Sequence, residues 1–213
     1  MMAFATDRDL LTYEPNIFQE VGYVAQQMLS TNDGVLSGTS LTSVSSSFPN
    51  ASIDEGSVVV VADEAVEVIR AISHEEIEVS RLRKHLDDPP IGCGQGTGLT
   101  VTAATFGPQI GAVHDGLMAL LGCDEENQRI VFEEERVLSI SVMARLETLG
   151  ALERIYSGAI MLGENREVIE LKANRYRRMF AEARSRASVK IDVNGDGHAD
   201  EQRSLGLIRF MRA

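Results

Sequence analysis

The sequence has few of the residues that build cysteine-based sites, because its 213 residues include only two cysteines, Cys93 and Cys123. Two cysteines this far apart do not make a disulfide framework, and no C-x-x-C motif or paired histidine indicates zinc. We therefore expect two unpaired thiols, no metal site of the zinc type and no cofactor.

Long apolar runs are also missing. No stretch of about 18 apolar residues occurs, so the sequence predicts no membrane span and no membrane partner. The opening residues, MMAFATDRDLL, lack the basic and then apolar layout of a secretion signal. Together these absences favour a cytoplasmic origin.

Positive charge is scarce, with 20 Lys and Arg against 32 Asp and Glu and a net charge of −12. Residues 1–100 hold 5 basic and 15 acidic side chains, whereas residues 101–213 hold 15 and 17. Such an acidic first half argues against a protein that grips nucleic acid by its phosphates. It is compatible with a protein that nucleic acid passes without binding.

Recognisable catalytic motifs are absent as well. The run GCGQGTG is not followed by Lys-Ser or Lys-Thr at a helix start, so it is not a phosphate loop. The four histidines, His74, His85, His114 and His198, are scattered, and none accompanies a Ser or Cys in a nucleophile motif. We therefore predict no catalytic residues and a protein that is not an enzyme.

The first hundred residues contain three successive sequence patterns. Thr6 is a candidate N-cap, and Ile17, Val21, Val24 and Met28 recur at helical spacing, which predicts a helix, a turn and a second helix. Residues 32–52 are rich in Ser, Thr and Gly and could be a loop, an arm or a mobile flap. Three strands are predicted within 57–83 and a fourth at 99–106, whereas the segment DDPPIGCGQGTG between them is predicted to be irregular.

From residue 107 onward the spacing is helical. The predicted fold is therefore α+β: a helical bundle core of three to four helices with an inserted small antiparallel β meander and a C-terminal β-hairpin. The helical core comprises 1–31 and 107–187, the β-rich insertion with its Ser/Thr/Gly-rich loop is 32–106, and the hairpin or arm is 188–213. Gly150 and Gly158 lie within a strongly apolar helical segment, where they indicate close approach of another helix or a break.

The last predicted helix is basic in an acidic protein, with seven basic and three acidic residues in 166–186. Ile169, Ala173, Tyr176, Phe180 and Ala183 share one face, and Lys172, Arg175, Arg178 and Arg186 lie off it. The charged face is either simply solvated or a docking face for an acidic neighbour, including another copy of the chain.

The segment IDVNGDGHAD allows two interpretations. Asp192, Asn194 and Asp196 occupy the first, third and fifth places of a calcium loop, Gly197 the sixth and Asp200 the ninth. The twelfth place, where a bidentate Glu is expected, is Arg203, which cannot be a ligand. The alternative is a metal-free polar turn joining the β-like runs VKIDV and RSLGLIRFM.

The segments ATDRDLLTYEPNIF and RYRRMFAEAR, with the closing IDVNGDGHADEQRSLGLIRFMR, carry a resemblance. The sequence resembles the head-to-tail connector proteins of tailed bacteriophages, also called adaptor or head-completion proteins. The resemblance covers the layout of most of the chain and is best over 5–18 and 166–212. The insertion at 32–106 is larger than in the compact helical members of that group.

The resemblance implies a structural virion protein at the neck, assembled in the host cytoplasm. Its copies would form a ring, commonly of twelve, below the portal protein, extending the DNA channel and docking stopper or tail-completion proteins. Double-stranded DNA would pass through without specific binding. The partner contacts implied are Arg175 and Arg178 on the basic helix and Leu207, Ile208, Arg209, Phe210 and Arg212 in the C-terminal segment. The alternative function is a calcium-dependent binding module that uses the loop 192–200.

Overall fold

The structure, a computed structural model, describes residues 3–124, 129–130, 132, 134–162 and 165–206. The described chain divides into two compact units, one formed by Thr6–Gly107 and the other by the described residues outside that range. Residues 6–31, which the sequence assigns to the helical core, therefore belong to the same unit as the β-rich segment.

The unit Thr6–Gly107 begins with short helices and continues as strands. Its elements are α1 (Asp7–Tyr13), α2 (Ile17–Glu20), a 3-10 turn (Gly22–Val24), β1 (Gln26–Ser37), β2 (Ser40–Thr42), β3 (Val58–Val61), β4 (Glu64–Ala71), β5 (Glu76–Ser80) and β6 (Gln95–Thr105). Thr6 and Asp9 form a capping box at the start of α1, so the predicted helix start at Thr6 is confirmed.

The six strands form a closed antiparallel barrel in the order β1-β2-β5-β4-β3-β6, with β6 returning to pair with β1. The buried residues of its core are Leu36, Leu41, Phe48, Ile53, Val59, Val61, Val66, Val68, Ile77, Val79, Cys93, Val101 and Ala103. The predicted fold class, a helical bundle core with a small inserted meander, is wrong. A barrel with its own core occupies the position where the sequence predicts only a meander.

Strand β1 accounts for this error. The helical spacing of Ile17 to Met28 predicts one continuous helix, but α2 ends at Glu20 and the chain is extended from Gln26. β1 pairs with β6 from Gln26 opposite Thr105 to Ser37 opposite Gln95, with irregularities in the register between these ends. This pairing, between segments about seventy residues apart in the chain, outweighs the local helical preference.

The strands predicted from the Val- and Ile-rich segment are confirmed. β3, β4 and β5 form an antiparallel meander, and Ala62 and Asp63 make the β3–β4 turn with φ angles of 48° and 69°. Positive φ at both central residues matches the twist of a tight hairpin. The fourth strand is longer than predicted, because β6 begins at Gln95 within a segment that the sequence analysis treats as irregular.

A buried ion-pair triad fixes α1 within this unit. Glu67 of β4 accepts from the Arg8 Nε of α1 and, at 2.6 Å, from the Arg83 Nε; its side chain is fully buried. The Arg8 Nη2 also donates to the Arg83 carbonyl at 2.9 Å, and the Arg83 Nη1 donates to the carbonyls of Leu86 and Asp88. The triad therefore orders the segment after β5 as well as α1.

The second unit contains the long helices. Its elements are α3 (Gly107–Leu121), β7 (Cys123–Asp124), β8 (Arg129–Ile130), a 3-10 turn (Glu134–Arg136), α4 (Ile140–Ala159), α5 (Arg166–Arg186), β9 (Ser188–Ile191) and β10 (Glu201–Ser204). Gly107 is the first residue of α3 and lies at the boundary between the units. The core contains Val113, Leu117, Met118, Leu121, Cys123, Phe132, Val137, Met143, Leu146, Ala187, Val189, Ile191 and Leu205. β9 and β10 form an antiparallel two-stranded sheet from Ser188 opposite Ser204 to Ile191 opposite Glu201.

The two glycines of α4 have different surroundings. A Cβ added at Gly150 would lie 2.7 Å from the Val113 Cγ1 and 3.2 Å from the Phe180 ring, so α3 and α5 both approach it closely. An added Cβ at Gly158 would meet nothing within 4 Å. Of the two alternatives predicted for these glycines, close helix approach is found at Gly150. At Gly158 no helix approaches closely, and α4 ends one residue later, at Ala159.

Among the described residues, no helix combines the length and apolar character needed to cross a membrane.

Candidate partner-binding surface

The predicted face of α5 packs against the rest of its unit. Ile169, Ala173 and Tyr176 are buried, which confirms the helical spacing. Tyr176 stacks on Tyr156 of α4 with ring centroids 5.8 Å apart and an interplanar angle of 6°. The Lys172 ammonium lies 5.1 Å from the Tyr156 ring centroid, so this cation also belongs to the helix contact.

Arg175 and Arg178 lie on the opposite side of α5 and are exposed. The Arg175 guanidinium lies 5.6 Å from the ring centroid of Tyr176. The Arg178 side chain forms no ion pair with any residue that the structure describes. The exposure of both guanidinium groups fits either interpretation of this charged face, solvated or docking.

Apolar side chains lie on the same side. Val168 and Leu171 are 49% and 65% exposed, and their positions at three- and four-residue intervals align them with Arg175 and Arg178. We call these four residues the α5 outer face. Isolated exposed apolar residues are ordinary, but two beside two exposed guanidinium groups resemble the composition of protein interfaces.

The remaining predicted contacts, Leu207, Ile208, Arg209, Phe210 and Arg212, lie outside the described residues. The last described residues before them are Leu205, which is buried, and Gly206. The structure therefore places the start of this segment and leaves its predicted contacts untested.

A groove of about 780 Å³ runs between α4 and α5. Its lining residues are Ser141, Val142, Arg145, Leu146 and Leu149 of α4, with Met179, Glu182, Ala183 and Arg186 of α5, Ala187, and Ser188 of β9. We call it the α4–α5 groove. Its buried lining residues are Leu146, Leu149 and Ala187, and its exposed charged residues include the Arg186–Glu182 pair at 2.7 Å. No motif in the sequence indicates this groove, because it depends on how two helices pack.

The polar loop after β9 is held by its own aspartates. Asp192 accepts from the backbone N–H groups of Gly195 at 2.5 Å, Gly197 at 2.8 Å and Asp196 at 3.2 Å. Burial opposes ionisation of Asp192, but these hydrogen bonds and the nearby Arg136 charge outweigh it and lower its pKa. These bonds satisfy the carboxylate without a cation.

Other positions of the calcium pattern are engaged in the same way. Asp200 accepts from the backbone N–H groups of Val193 and Asn194, both at 3.1 Å. Arg203, at the twelfth position, pairs with Glu201 at 2.9 Å and donates to the Leu121 carbonyl. Within the part of the chain that the structure describes, no three or more His, Cys, Asp or Glu side chains converge to hold a metal ion.

Sequence reasoning missed a buried titratable pair in the helical unit. The Nδ1 of His114 on α3 lies 2.8 Å from the Oε1 of Glu147 on α4, and the Glu147 Oε2 accepts from the Ala5 N–H at 2.7 Å. Burial alone would lower the pKa of His114, but its hydrogen bond to Glu147 and the charges of Glu147, Glu134 and Asp115 raise it. A lone His and a lone Glu within apolar helices give no signal that they meet.

Cys93 is buried in the barrel core and Cys123 in the helical core, and the two do not form a disulfide bond.

Comparison of the chain with protein-family models, curated proteins and solved structures finds no match.

Proposed function

We propose that this chain is a structural virion protein, a head-to-tail connector (adaptor) of a tailed bacteriophage whose copies form a ring below the portal. The observation that carries the proposal is the separation of charge along the chain. The unit Thr6–Gly107 contains 5 basic and 15 acidic side chains, a formal charge of −10, whereas α5 contains seven basic and three acidic residues. Two surfaces of opposite sign on one chain are complementary when one copy meets the next.

The α5 outer face is the surface that we assign to this contact. A contact that joins two different faces of successive copies is heterologous, and it closes into a ring when the rotation between copies closes. Arg175 and Arg178 would face carboxylates of the neighbouring acidic unit, and Val168 and Leu171 would be removed from water. Arginine beside apolar side chains is enriched in protein interfaces.

The acidic composition also suits a channel. A ring built from chains of net charge −12 repels the phosphates of double-stranded DNA. DNA would then slide through the ring without specific binding, which is what a neck component between head and tail requires. In this proposal the C-terminal segment, with Leu207, Ile208, Arg209, Phe210 and Arg212, contacts the portal or a stopper protein.

The buried charged groups are compatible with a structural role without catalysis. Glu67 is shared between Arg8 and Arg83, and Glu147 between the Ala5 N–H and His114. Each of these carboxylates joins segments that are distant in the sequence, so each contributes to holding a fold together.

Charge reversal on the α5 outer face tests the ring. We expect the purified chain, alone or mixed with the portal protein of the same phage, to form large rings by mass photometry. The Arg175→Glu, Arg178→Glu variant should remain as single chains, because the introduced glutamates would repel the carboxylates of the neighbouring acidic unit. The matched control is Arg154→Glu, Lys190→Glu, which changes the net charge equally at exposed positions outside that face.

Two results would contradict the proposal. The first is that the unmodified protein remains as single chains even when the portal protein is present. The second is that both variants lose the ring to the same extent. Cryo-electron microscopy of the virion neck provides the independent check, since the proposal requires this chain in the density directly below the portal.

A further inference from the structure

We propose that the contact between His114 and Glu134 is a pH-sensitive switch that holds the 3-10 turn Glu134–Arg136 against α3. The imidazole that carries protons on both nitrogens keeps the turn in place, and loss of the proton from its Nε2 releases the turn. The inference concerns a single chain, so it goes beyond the proposed function and does not depend on whether an oligomeric ring forms.

The His114 side chain lies between two carboxylates that belong to different elements. Its Nδ1 is 2.8 Å from the Glu147 Oε1 of α4, and its Nε2 is 3.6 Å from the Glu134 Oε2 of the turn. The next residue of α3, Asp115, adds a third negative charge that acts on the imidazole. The Phe4 ring lies against the imidazole, with ring centroids 5.5 Å apart, and contributes no charge.

The doubly protonated imidazole is the one form that suits both carboxylates. A neutral imidazole carries one N–H and one lone pair, so either tautomer directs a lone pair at a carboxylate. Within the described part of the chain, the His114 Nε2 has no hydrogen-bond partner although the side chain is 1% exposed. The attraction between this nitrogen and Glu134 therefore depends on the positive charge of the imidazole.

Of the two carboxylates, Glu134 is the one that can move away. Glu147 is fully buried and also accepts from the Ala5 N–H at 2.7 Å, so its charge would be left uncompensated without these donors. The Glu134 side chain is 18% exposed and can turn towards water. Loss of one proton from His114 should therefore keep the Nδ1 contact and break the contact between Nε2 and Glu134.

The turn connects this contact to one edge of β9. The Arg136 carbonyl accepts the Asp192 N–H at 2.9 Å, and Leu138 donates its N–H to the Lys190 carbonyl at 3.0 Å. The residue between them forms a β-bridge with Ile191. Release of the turn should therefore weaken the hydrogen bonds along this edge of β9 and at the start of the polar loop that follows it.

The direction of the pH effect follows from the charges around His114. Burial lowers the pKa of His114, but the hydrogen bond to Glu147 and the charges of the three nearby carboxylates raise it above its ordinary value of 6.5. The contact with Glu134 is therefore fully formed below about pH 6.5 and is lost as pH rises through the raised pKa.

Hydrogen–deuterium exchange of the full chain at pH 5.5 and pH 9 tests the switch, with each rate corrected for the intrinsic pH dependence of amide exchange. We expect protection in 136–138 and 190–192 to fall by about threefold or more at the higher pH, as for loss of one ion pair. Protection in 145–156 of α4 and 169–180 of α5 should change far less. Equal loss of protection in all these segments would indicate global unfolding and would overturn the inference.

The Glu134→Gln variant distinguishes a switch from a purely structural role of His114. It keeps His114 and Glu147 but lacks the charge that the protonated Nε2 attracts, so the pH dependence in 136–138 and 190–192 should disappear. Glu135→Gln is the matched control, because it makes the same change at the next, exposed residue of the turn and should keep the pH dependence. An unchanged dependence in Glu134→Gln, its loss in both variants, or no dependence in the unmodified chain would each overturn the inference.

Nitrogen NMR of the His114 imidazole gives a second, independent readout. As pH rises, Nε2 should take the chemical shift of an unprotonated nitrogen, while Nδ1, which faces Glu147, stays protonated. Glu134→Gln should lower the midpoint of this titration, because it removes a negative charge near Nε2, and Glu135→Gln should shift the midpoint far less. Loss of the proton from Nδ1 instead, or equal midpoint shifts in the two variants, would contradict the proposed switch.

Discussion

His114 on α3 and Glu147 on α4 meet at 2.8 Å between Nδ1 and Oε1, with both side chains buried. The contact ties α3 to α4, and through the Glu147 Oε2 it also holds the backbone of Ala5. One carboxylate therefore connects three segments of the helical unit, and its partner is a group that titrates near neutral pH.

The helical unit should lose stability as pH rises above neutral. The pKa of His114 is raised above its ordinary value of 6.5, so the protonated ring is the form that the fold stabilises. That stabilisation is complete below about pH 6.5 and is lost as pH rises through the raised pKa. Urea unfolding between pH 6 and 9 should show this loss in the unmodified chain and in the exposed-site control His198→Gln. In His114→Gln the same pH dependence should disappear; an unchanged dependence would contradict the assignment.

Asp7 should destabilise the barrel unit at neutral pH. Burial raises the pKa of its carboxyl to about 6, although hydrogen bonds from the Thr105 hydroxyl and the Phe106 N–H oppose the shift. The stabilisation of its neutral form is complete below about pH 4 and is lost as pH rises through 6. Asp7→Asn removes the buried charge, so we expect about 1–3 kcal/mol more stability at pH 7.5 and little change at pH 4. Lower stability of Asp7→Asn at pH 7.5 would show that the charged form is favoured instead.

The Arg8–Glu67–Arg83 triad should be far more sensitive than a surface pair. Removing one partner of a buried pair leaves an uncompensated charge, at a cost of about 3–5 kcal/mol. We therefore expect Arg8→Ala to lower the free energy of unfolding by that amount in urea titrations. Arg81→Ala breaks the exposed pair with Glu64, 54% and 44% exposed, and should cost no more than about 1 kcal/mol. Equal effects of the two substitutions would contradict this account of the triad.

The two glycines of α4 should respond to alanine with opposite signs. At Gly150 the new methyl would lie 2.7 Å from the Val113 Cγ1, and such overpacking typically costs about 1–3 kcal/mol. At Gly158 the space is open, and alanine should stabilise the helix by about 0.5–1 kcal/mol. Thermal melts of both variants measure these changes in stability. A higher melting temperature for Gly150→Ala would show that α3 does not approach this site as described.

Asp192 should stabilise its loop without calcium. Because it accepts three backbone N–H groups, we expect Asp192→Ala to cost about 1–3 kcal/mol in metal-free buffer. His198→Ala, in the same exposed loop, is the control and should cost little. Calcium at millimolar concentration should not change the melting temperature of the unmodified chain. A calcium-dependent rise that Asp192→Ala abolishes would instead support the calcium-binding alternative.

The sequence predicts local elements better than the way they combine. The capping box at Thr6 and the strands rich in valine are local patterns, and each is confirmed where the pattern lies. β1 could not be predicted in this way, because its residues are mostly polar and form a strand only through pairing with β6. The closed barrel depends on β1 and on the short β2, which joins β1 to β5 and lies in the Ser/Thr/Gly-rich segment. The fold class was therefore wrong although the other four strands were located.

The same distinction between local and non-local features applies to the candidate partner-binding surface. The exposure of Arg175 and Arg178 follows from helical spacing within one segment, and the structure agrees with it. The α4–α5 groove and the His114–Glu147 pair require knowledge of which helices touch, and no residue spacing within one helix contains it. Features that arise from one element were predictable here, and features that arise between elements were not.

Closure of the barrel has a consequence for the ring that we propose. Each of the six strands is bonded to a strand on both sides over part of its length, and no unpaired N–H and C=O groups are left for another copy where the pairing is two-sided. β1 pairs with β2 only over residues 35–37, so its earlier residues are bonded on the β6 side alone. Closure therefore shortens the sheet border at which crowded copies could fuse into a continuous β-structure, and it leaves most recognition between barrels to side chains, whose charges can exclude a wrong partner more selectively than a row of peptide groups.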